Sequence, residues 1–171
     1  MSKIILVTGG ARSGKSAIAE RLIETLGRHP VYIATAEPRD DEMAARIATH
    51  QTQRGSHWTT VDAPLELEEA LTQTNGQGPR LVDCLTLWLS NLMLADKKWQ
   101  AAGDALAGAL GRQTSPVILV TNEVGGGIVP DNKLARDFRD AAGLLNQRIA
   151  AVSDEVYLAV SGLPLQLKPG R

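Results

Sequence analysis

The stretch "KIILVTGGARSGKS", Lys3 to Ser16, constrains the fold more than any other part of the chain. A short apolar run rich in β-branched residues leads into Gly9, Gly14, Lys15 and Ser16 in the spacing G-x-x-x-x-G-K-S, and a helical pattern follows. Glycines at these places let successive main-chain N–H groups turn toward one centre, and the start of the following helix adds positive potential. Such a loop cradles phosphate: Gly9, Gly10, Ala11, Arg12, Ser13 and Gly14 supply the wall. Lys15 reaches the β- and γ-phosphates, and the Ser16 hydroxyl sits on Mg²⁺. The chain therefore binds a nucleoside triphosphate. The loop alone leaves open whether it moves a phosphoryl group, works as a switch or drives a motor.

The rest of the chain suits a sheet built around that loop. Further apolar runs of strand length recur as "VYIAT", "WTTV", "RLVDCL", "PVILVT" and "EVYLAV". Helical patterns separate most of them: Ala17 to Leu26, "LELEEAL" after Pro64, Trp99 to Leu110, and Asp131 to about Val152. Alternation of this kind gives a largely parallel sheet with helices on both faces, and ligands then lie beyond the carboxyl ends of the strands. The stretch "TQTNGQGP" (Thr72 to Pro79) reads as a flexible loop, too short for a linker. With 171 residues, one domain over residues 1–171 is expected. A net charge of -1 gives no electrostatic case for a nucleic-acid or membrane partner. No apolar run approaches the roughly 20 residues of a membrane span, and the start lacks the features of a secretory signal. The single cysteine, Cys84, fits a reducing, cytoplasmic setting.

A phosphate loop needs a carboxylate on its metal side. Asp83 closes an apolar run in "RLVDCL" and is placed to hold Mg²⁺ through water; Asp62, ending "WTTVD", is a second strand-end acid. Either could instead cap a turn or a helix. Cys84 reads as a small buried residue, since nothing beside it suggests an activated thiolate. "TNEVGGGIVP" follows the fifth strand, where Asn122 and Glu123 either orient substrate or metal or merely precede a glycine turn.

In "DDEMAARIATHQTQR", Asp40 to Arg54, a helical reading puts Met43, Ile47 and His50 on one stripe. Arg46, His50 and Arg54 stand four apart along one ridge. His50 is either a core filler or a chemical group. Two arginines one turn away on either side would favour the neutral, attacking form of its imidazole and could bind phosphate oxygens. His29, in a turn, and His57, before Trp58, are the other histidines.

Taken together, "VTGGARSGKS", "DDEMAARI..H", "TNEVG.GIVP", "LAR.FRD.AG..NQR.A" and "DEVYL.VSG" resemble the bifunctional adenosylcobinamide kinase / adenosylcobinamide-phosphate guanylyltransferase family of cobalamin biosynthesis, from residue 3 to about residue 162. The resemblance implies an α/β P-loop NTPase of the RecA-like kind. It implies two reactions: phosphorylation of adenosylcobinamide by ATP or GTP, then transfer of GMP from GTP to adenosylcobinamide phosphate, with release of pyrophosphate. It makes His50 the residue that carries GMP. It also implies nucleotide contacts at Ala34, Thr35, Ala36, Gln51, Thr52, Gln53, Arg54, Asp62 and Cys84, with Mg²⁺ as cofactor and a homotrimer as the assembly. Two other readings stay open on the residues: a small-molecule kinase in which His50 is structural, and a nucleotide-dependent switch.

Overall fold

In the computed structural model the described residues are 2–37 and 55–170. The helix expected over Asp40 to Arg54, with His50, lies outside them.

The described residues build a seven-stranded sheet in the order β3-β2-β4-β5-β1-β6-β7. Its strands are β1 (Ile4–Gly9), β2 (Val31–Ala34), β3 (Thr59–Asp62), β4 (Arg80–Asp83), β5 (Val117–Asn122), β6 (Glu155–Val160) and β7 (Leu163–Lys168). All neighbouring pairs are parallel except β6 with β7. The central strands are buried on both faces, which is why "IILV" and "VILV" read as unbroken apolar runs.

Five helices pack on the sheet among the described residues: α1 (Lys15–Glu24), α2 (Leu67–Gln73), α3 (Leu85–Leu94), α4 (Trp99–Gly111) and α5 (Lys133–Val152). Ile18, Ala19 and Ile23 of α1 cover one face, against Ile5, Val7, Leu81, Ile118 and Val120. The other four helices share the opposite face, through residues such as Leu71, Leu89, Leu106 and Leu145 against Leu6, Val82 and Leu119. The expected helices on both faces are present, one against four.

Two elements go beyond the sequence reading. Helix α3 begins two residues after Asp83, so "RLVDCL" is a strand of four residues followed by a helix start. The helix is apolar around most of its circumference, with Leu85, Trp88, Leu89 and Leu92 buried, so no amphipathic stripe announces it. Its Trp88 indole donates to the Leu65 carbonyl at 2.8 Å, and Asn91 donates to Thr35 and Pro64 at 2.8 and 3.0 Å. These bonds draw α3 onto the segments that leave β2 and β3. Strand β7 returns antiparallel on β6 through Ser161 and Gly162, whose φ values of 52° and 80° suit a two-residue hairpin turn. The loop from Thr72 to Pro79, expected to be flexible, is pinned: Asn75 Oδ1 accepts from Arg80, from both Thr114 groups and from the Ser115 N–H.

Candidate functional site

The phosphate loop leaves β1 at the carboxyl edge of the sheet and turns directly into α1. Gly14 is the N-cap of α1 in the left-handed region, φ 91° and ψ 8°, a conformation that disfavours a side chain. A Cβ there would also stand 2.9 Å from the Gly162 Cα. The Gly162 N–H donates to the Ser13 carbonyl at 2.8 Å, so the β6–β7 turn buttresses the loop from outside. Gly9 is needed for space: a Cβ would meet Ser13 Oγ at 2.6 Å and the Ala159 carbonyl oxygen at 2.7 Å. Lys15 folds back over the loop, its Nζ donating to the Gly10 carbonyl at 3.2 Å. Ser16 lies one residue into the helix and is half-buried.

Register places the other candidates. Ala34 pairs with Asp62 on one side and Asp83 on the other, so Asp62, Ala34 and Asp83 form one row across β3, β2 and β4. Val61 and Val82 pack toward the four-helix face, so alternation turns the Asp62 and Asp83 side chains to the α1 face. With strands about 4.8 Å apart, Asp83 lies roughly 10 Å and Asp62 roughly 19 Å along the edge from β1. Loop, Asp83, Ala34 and Asp62 thus line one strip. Thr35 is fully buried at its centre and has no polar group to spare. Its hydroxyl donates to the Cys84 carbonyl at 2.7 Å and accepts from the Cys84 N–H at 2.8 Å, while its own N–H donates to the Asp83 carbonyl at 3.2 Å. Thr35 therefore fixes the main chain that carries Asp83. Ala36 is half-buried just beyond it.

Cys84 is buried, and burial, reinforced by the neighbouring Asp83 charge, pushes its thiol up to about 11. It stays protonated and unreactive near neutrality, as its reading as a small buried residue requires.

The end of β5 stands between the loop and Asp83, since β5 separates β1 from β4. Its last residue, Asn122, pairs with Gly9. Glu123 donates its N–H to the Gly9 carbonyl at 3.0 Å and folds its carboxylate back onto the Gly125 N–H at 2.7 Å. On the other flank of the loop a cavity of about 630 Å³ opens between Gly10 to Ser13, Glu123, Val124, Gly126 and Gly127, and Leu158 to Ser161. Its volume lies in the range of small-molecule sites.

Of the residues singled out in the sequence, Gly9 to Ser16, Ala34 to Ala36, Asp62, Asp83, Cys84, Asn122 and Glu123 all gather at the carboxyl edge. His50 and Gln51 to Arg54 lie outside the described residues. His29 is exposed with φ 56°, and His57 is exposed beside the Trp58 ring, 6.2 Å between centroids. Gly162 and Asn146, within quoted motifs but given no role there, and Thr86, not singled out, hold the edge in shape. The dipeptide Ser161-Gly162 between two alternating apolar runs was a hairpin signal for the first. Thr86 sits inside the unmarked α3, and Asn146 looks like one more polar residue on a long helix.

No group of three or more metal-ligating side chains occurs among the described residues. The oxygen set present, the Ser16 hydroxyl and one carboxylate at Asp83, fits a hard cation that keeps most of its waters and takes phosphate oxygens as its remaining ligands. Among the described residues no helix is long and apolar enough to cross a membrane.

Comparison with solved structures places the fold. The assembled ATPase EscN of the enteropathogenic E. coli type III secretion system superposes with a TM-score of 0.59 at 9% identity, over 94% of this chain and 43% of that one. The flagellar accessory protein FlaH from Methanocaldococcus jannaschii gives 0.55 at 10% identity, over 98% and 79%. These likenesses show a RecA-like P-loop fold. Sequence relatives are far nearer. The bifunctional adenosylcobalamin biosynthesis protein CobP of Pseudomonas aeruginosa is 47% identical over 95% of this chain and 96% of its own. The protein CobU of Salmonella typhimurium, described in the same words, is 45% identical over 96% and 99%. Residues 5–167 match the family described as cobinamide kinase / cobinamide phosphate guanyltransferase. The chain belongs to that family.

Proposed function

We propose that this chain carries out both reactions of its family on one edge of its sheet. In the first, a nucleoside triphosphate phosphorylates the hydroxyl of adenosylcobinamide. In the second, GMP from GTP is joined to that phosphate, giving adenosylcobinamide-GDP and pyrophosphate. The observation that carries the reading is the strip of loop, Asp83, Ala34 and Asp62. It offers anion-binding N–H groups at one end and a platform for the rest of a nucleotide along the other strands.

In this reading residues Gly9 to Ser16 hold the triphosphate. Lys15, released from the Gly10 carbonyl, moves its charge onto the β- and γ-phosphates, where negative charge shifts during transfer. Ser16 and Asp83 hold Mg²⁺, which supplies charge neutralisation to the phosphates when bound. Ala34, Ala36 and Cys84 give the nucleoside an apolar seat, with Thr35 behind them and the exposed Asp62 carboxylate at the far end as a hydrogen-bond acceptor. His50 carries GMP: its imidazole nitrogen bonds to the α-phosphorus while the bond to the pyrophosphate oxygen breaks, and the cobinamide phosphate then displaces the histidine. Gln51, Thr52, Gln53 and Arg54 flank that nucleotide.

Residues 1–171 act as one nucleotide-binding domain in the cytoplasm, with no nucleic-acid partner. A homotrimer is the proposed assembly. Ile128, 97% exposed, and Leu163, Leu165 and Leu167 along the outer strand provide apolar surface for subunit contacts. Light scattering on the purified chain tests the trimer.

The function is tested by incubating the protein with adenosylcobinamide and either ATP or GTP, and identifying products by mass spectrometry. Adenosylcobinamide phosphate with either nucleotide, and adenosylcobinamide-GDP with GTP alone, is the expected pattern. Phosphate without the GDP product would leave a kinase only.

A further inference from the structure

The carboxyl end of β5 is held by side chains from two helices. The Asn122 N–H donates to Thr86 Oγ1 of α3 at 2.7 Å, and its carbonyl accepts from Asn146 Nδ2 of α5 at 3.1 Å. Asn146 is oriented in turn by the Thr121 hydroxyl, which donates to its Oδ1 at 2.7 Å. Both main-chain groups of Asn122 are thus satisfied and its position is fixed.

Its side chain is treated differently. Thr121 turns toward α3 and α5, so alternation sends the Asn122 amide to the α1 face, the face of the phosphate loop and Asp83. There its Oδ1 is enclosed, yet it accepts no hydrogen bond from any described residue. A buried acceptor without a donor is costly, and three other side chains, Thr86, Thr121 and Asn146, hold the residue there. The placement calls for a donor brought by a ligand.

The chemistry narrows the donor. Phosphate oxygens of a bound triphosphate carry no proton to give. Metal-bound water has an anionic acceptor in Asp83, one strand away. Glu123 is folded onto its own loop and does not compete. Among the donors that substrates bring to this edge, the hydroxyl that receives the phosphoryl group is the one whose direction matters for transfer. We infer that Asn122 is a positioning residue for the phosphoryl acceptor, its Oδ1 accepting a hydrogen bond from the attacking hydroxyl of the alcohol substrate.

This inference rests on the kinase half of the proposed function. In the step, the hydroxyl oxygen bonds to the γ-phosphorus as the bond to the β–γ bridging oxygen breaks and nucleoside diphosphate departs. The hydroxyl proton passes to an oxygen of the transferred phosphoryl group and then to water. The amide takes no proton; it aims a lone pair of the hydroxyl along the line of attack.

The test compares wild type with Asn122→Ala and Asn122→Leu, the second filling the amide's volume should alanine fold poorly. Asn146→Ala serves as the structural control. Four quantities are read: kinase turnover, GMP transfer to adenosylcobinamide phosphate supplied ready-made, the Mg²⁺ concentration for half-maximal kinase rate, and Tm. Loss of one orienting contact is expected to lower kinase kcat by about 10- to 100-fold. GMP transfer and the Mg²⁺ requirement should stay at wild-type levels, and Tm should hold or rise because an unsatisfied acceptor has gone. Asn146→Ala should lower Tm and both activities together. Equal loss of both activities in the Asn122 variants would make Asn122 structural. A raised Mg²⁺ requirement would give its partner as metal-bound water, and an unchanged kinase rate would leave it without a role; each overturns the inference. A wild-type protein with no kinase activity would instead refute the proposed function.

Discussion

The two ends of the same sheet are built on opposite principles. At the amino end, Arg80 is completely buried and burial lowers its pKa to about 10, with no carboxylate bonded to it among the described residues. Neutral acceptors surround it instead: Gln113 Oε1 at 2.7 Å, the Ser115 carbonyl at 2.9 Å, Asn75 Oδ1 at 3.1 Å and the Thr74 carbonyl at 3.3 Å. The knot joins the loop before β4 to the loop before β5, and only the Arg80 Nε goes without a partner among the described residues. At the carboxyl end, Asn122 Oδ1, Ser13 Oγ and Thr8 Oγ1 are enclosed with no partner among the described residues, and a left-handed glycine is wedged against a hairpin turn. One end bonds most of its polar groups, with Arg80 Nε and Ser2 Oγ the exceptions among the described residues, and stabilises the fold. The other leaves groups unsatisfied and keeps them in place, as a site that awaits a ligand does.

That contrast can be broken by substitution. The largest effect is expected from Lys15→Ala at the carboxyl end, where phosphoryl transfer should fall by about 10²- to 10³-fold, roughly 3–4 kcal/mol of transition-state stabilisation. Its only hydrogen bond within the described structure is to its own loop, so Tm should barely move. Arg80→Ala at the amino end should do the reverse, costing about 3 kcal/mol and lowering Tm by roughly 6–12 °C while kcat measured well below that Tm is retained. Loss of stability in Lys15→Ala, or loss of activity in Arg80→Ala, would blur the division.

Cys84 sharpens it along the pH axis. Its thiol is raised from 9.0 to about 11 in the folded state, so the folded chain keeps a proton that the unfolded chain gives up. Its contribution is complete below about pH 9 and is lost as pH rises to about 11, on the order of 2–3 kcal/mol in all. Denaturant titrations of wild type and Cys84→Ala across that range should converge as pH rises. A constant gap between them would contradict the burial argument. The smallest effect is expected from Gly14→Ala, where the left-handed main chain costs about 1–2 kcal/mol of stability. Displacement of Gly162 should also weaken nucleotide binding, measurable by calorimetry.

How far the sequence reaches differs between the same two ends. The phosphate loop was legible because its glycines, lysine and serine follow the shape of phosphate, and Asp83 was legible as a strand-end acid because it closes an apolar run. The central strands were legible from unbroken apolar runs. Arg80 looked like an ordinary strand-start cation, and nothing local shows that Asn75 and Gln113 come from two separate loops to meet it. Helix α3 was hidden because burial all round erases the helical period. Strand β7 was hidden because Pro164 and exposed leucines disguise an edge strand. Asn122 was visible as a candidate, but its orphaned oxygen exists only once Thr86, Thr121 and Asn146 are brought together.

At the centre of the proposed function, one chain passes GMP through His50. The measurement that tests it most directly incubates wild type and His50→Ala with GTP labelled at the α or the γ position, then assays the denatured protein for bound label. Wild type is expected to carry α-label, removed by acid and retained in base as a phosphorus–nitrogen bond requires, with no γ-label, and His50→Ala is expected to carry nothing. Label surviving on His50→Ala, or adenosylcobinamide-GDP formed by a wild-type protein that never carries label, would contradict it.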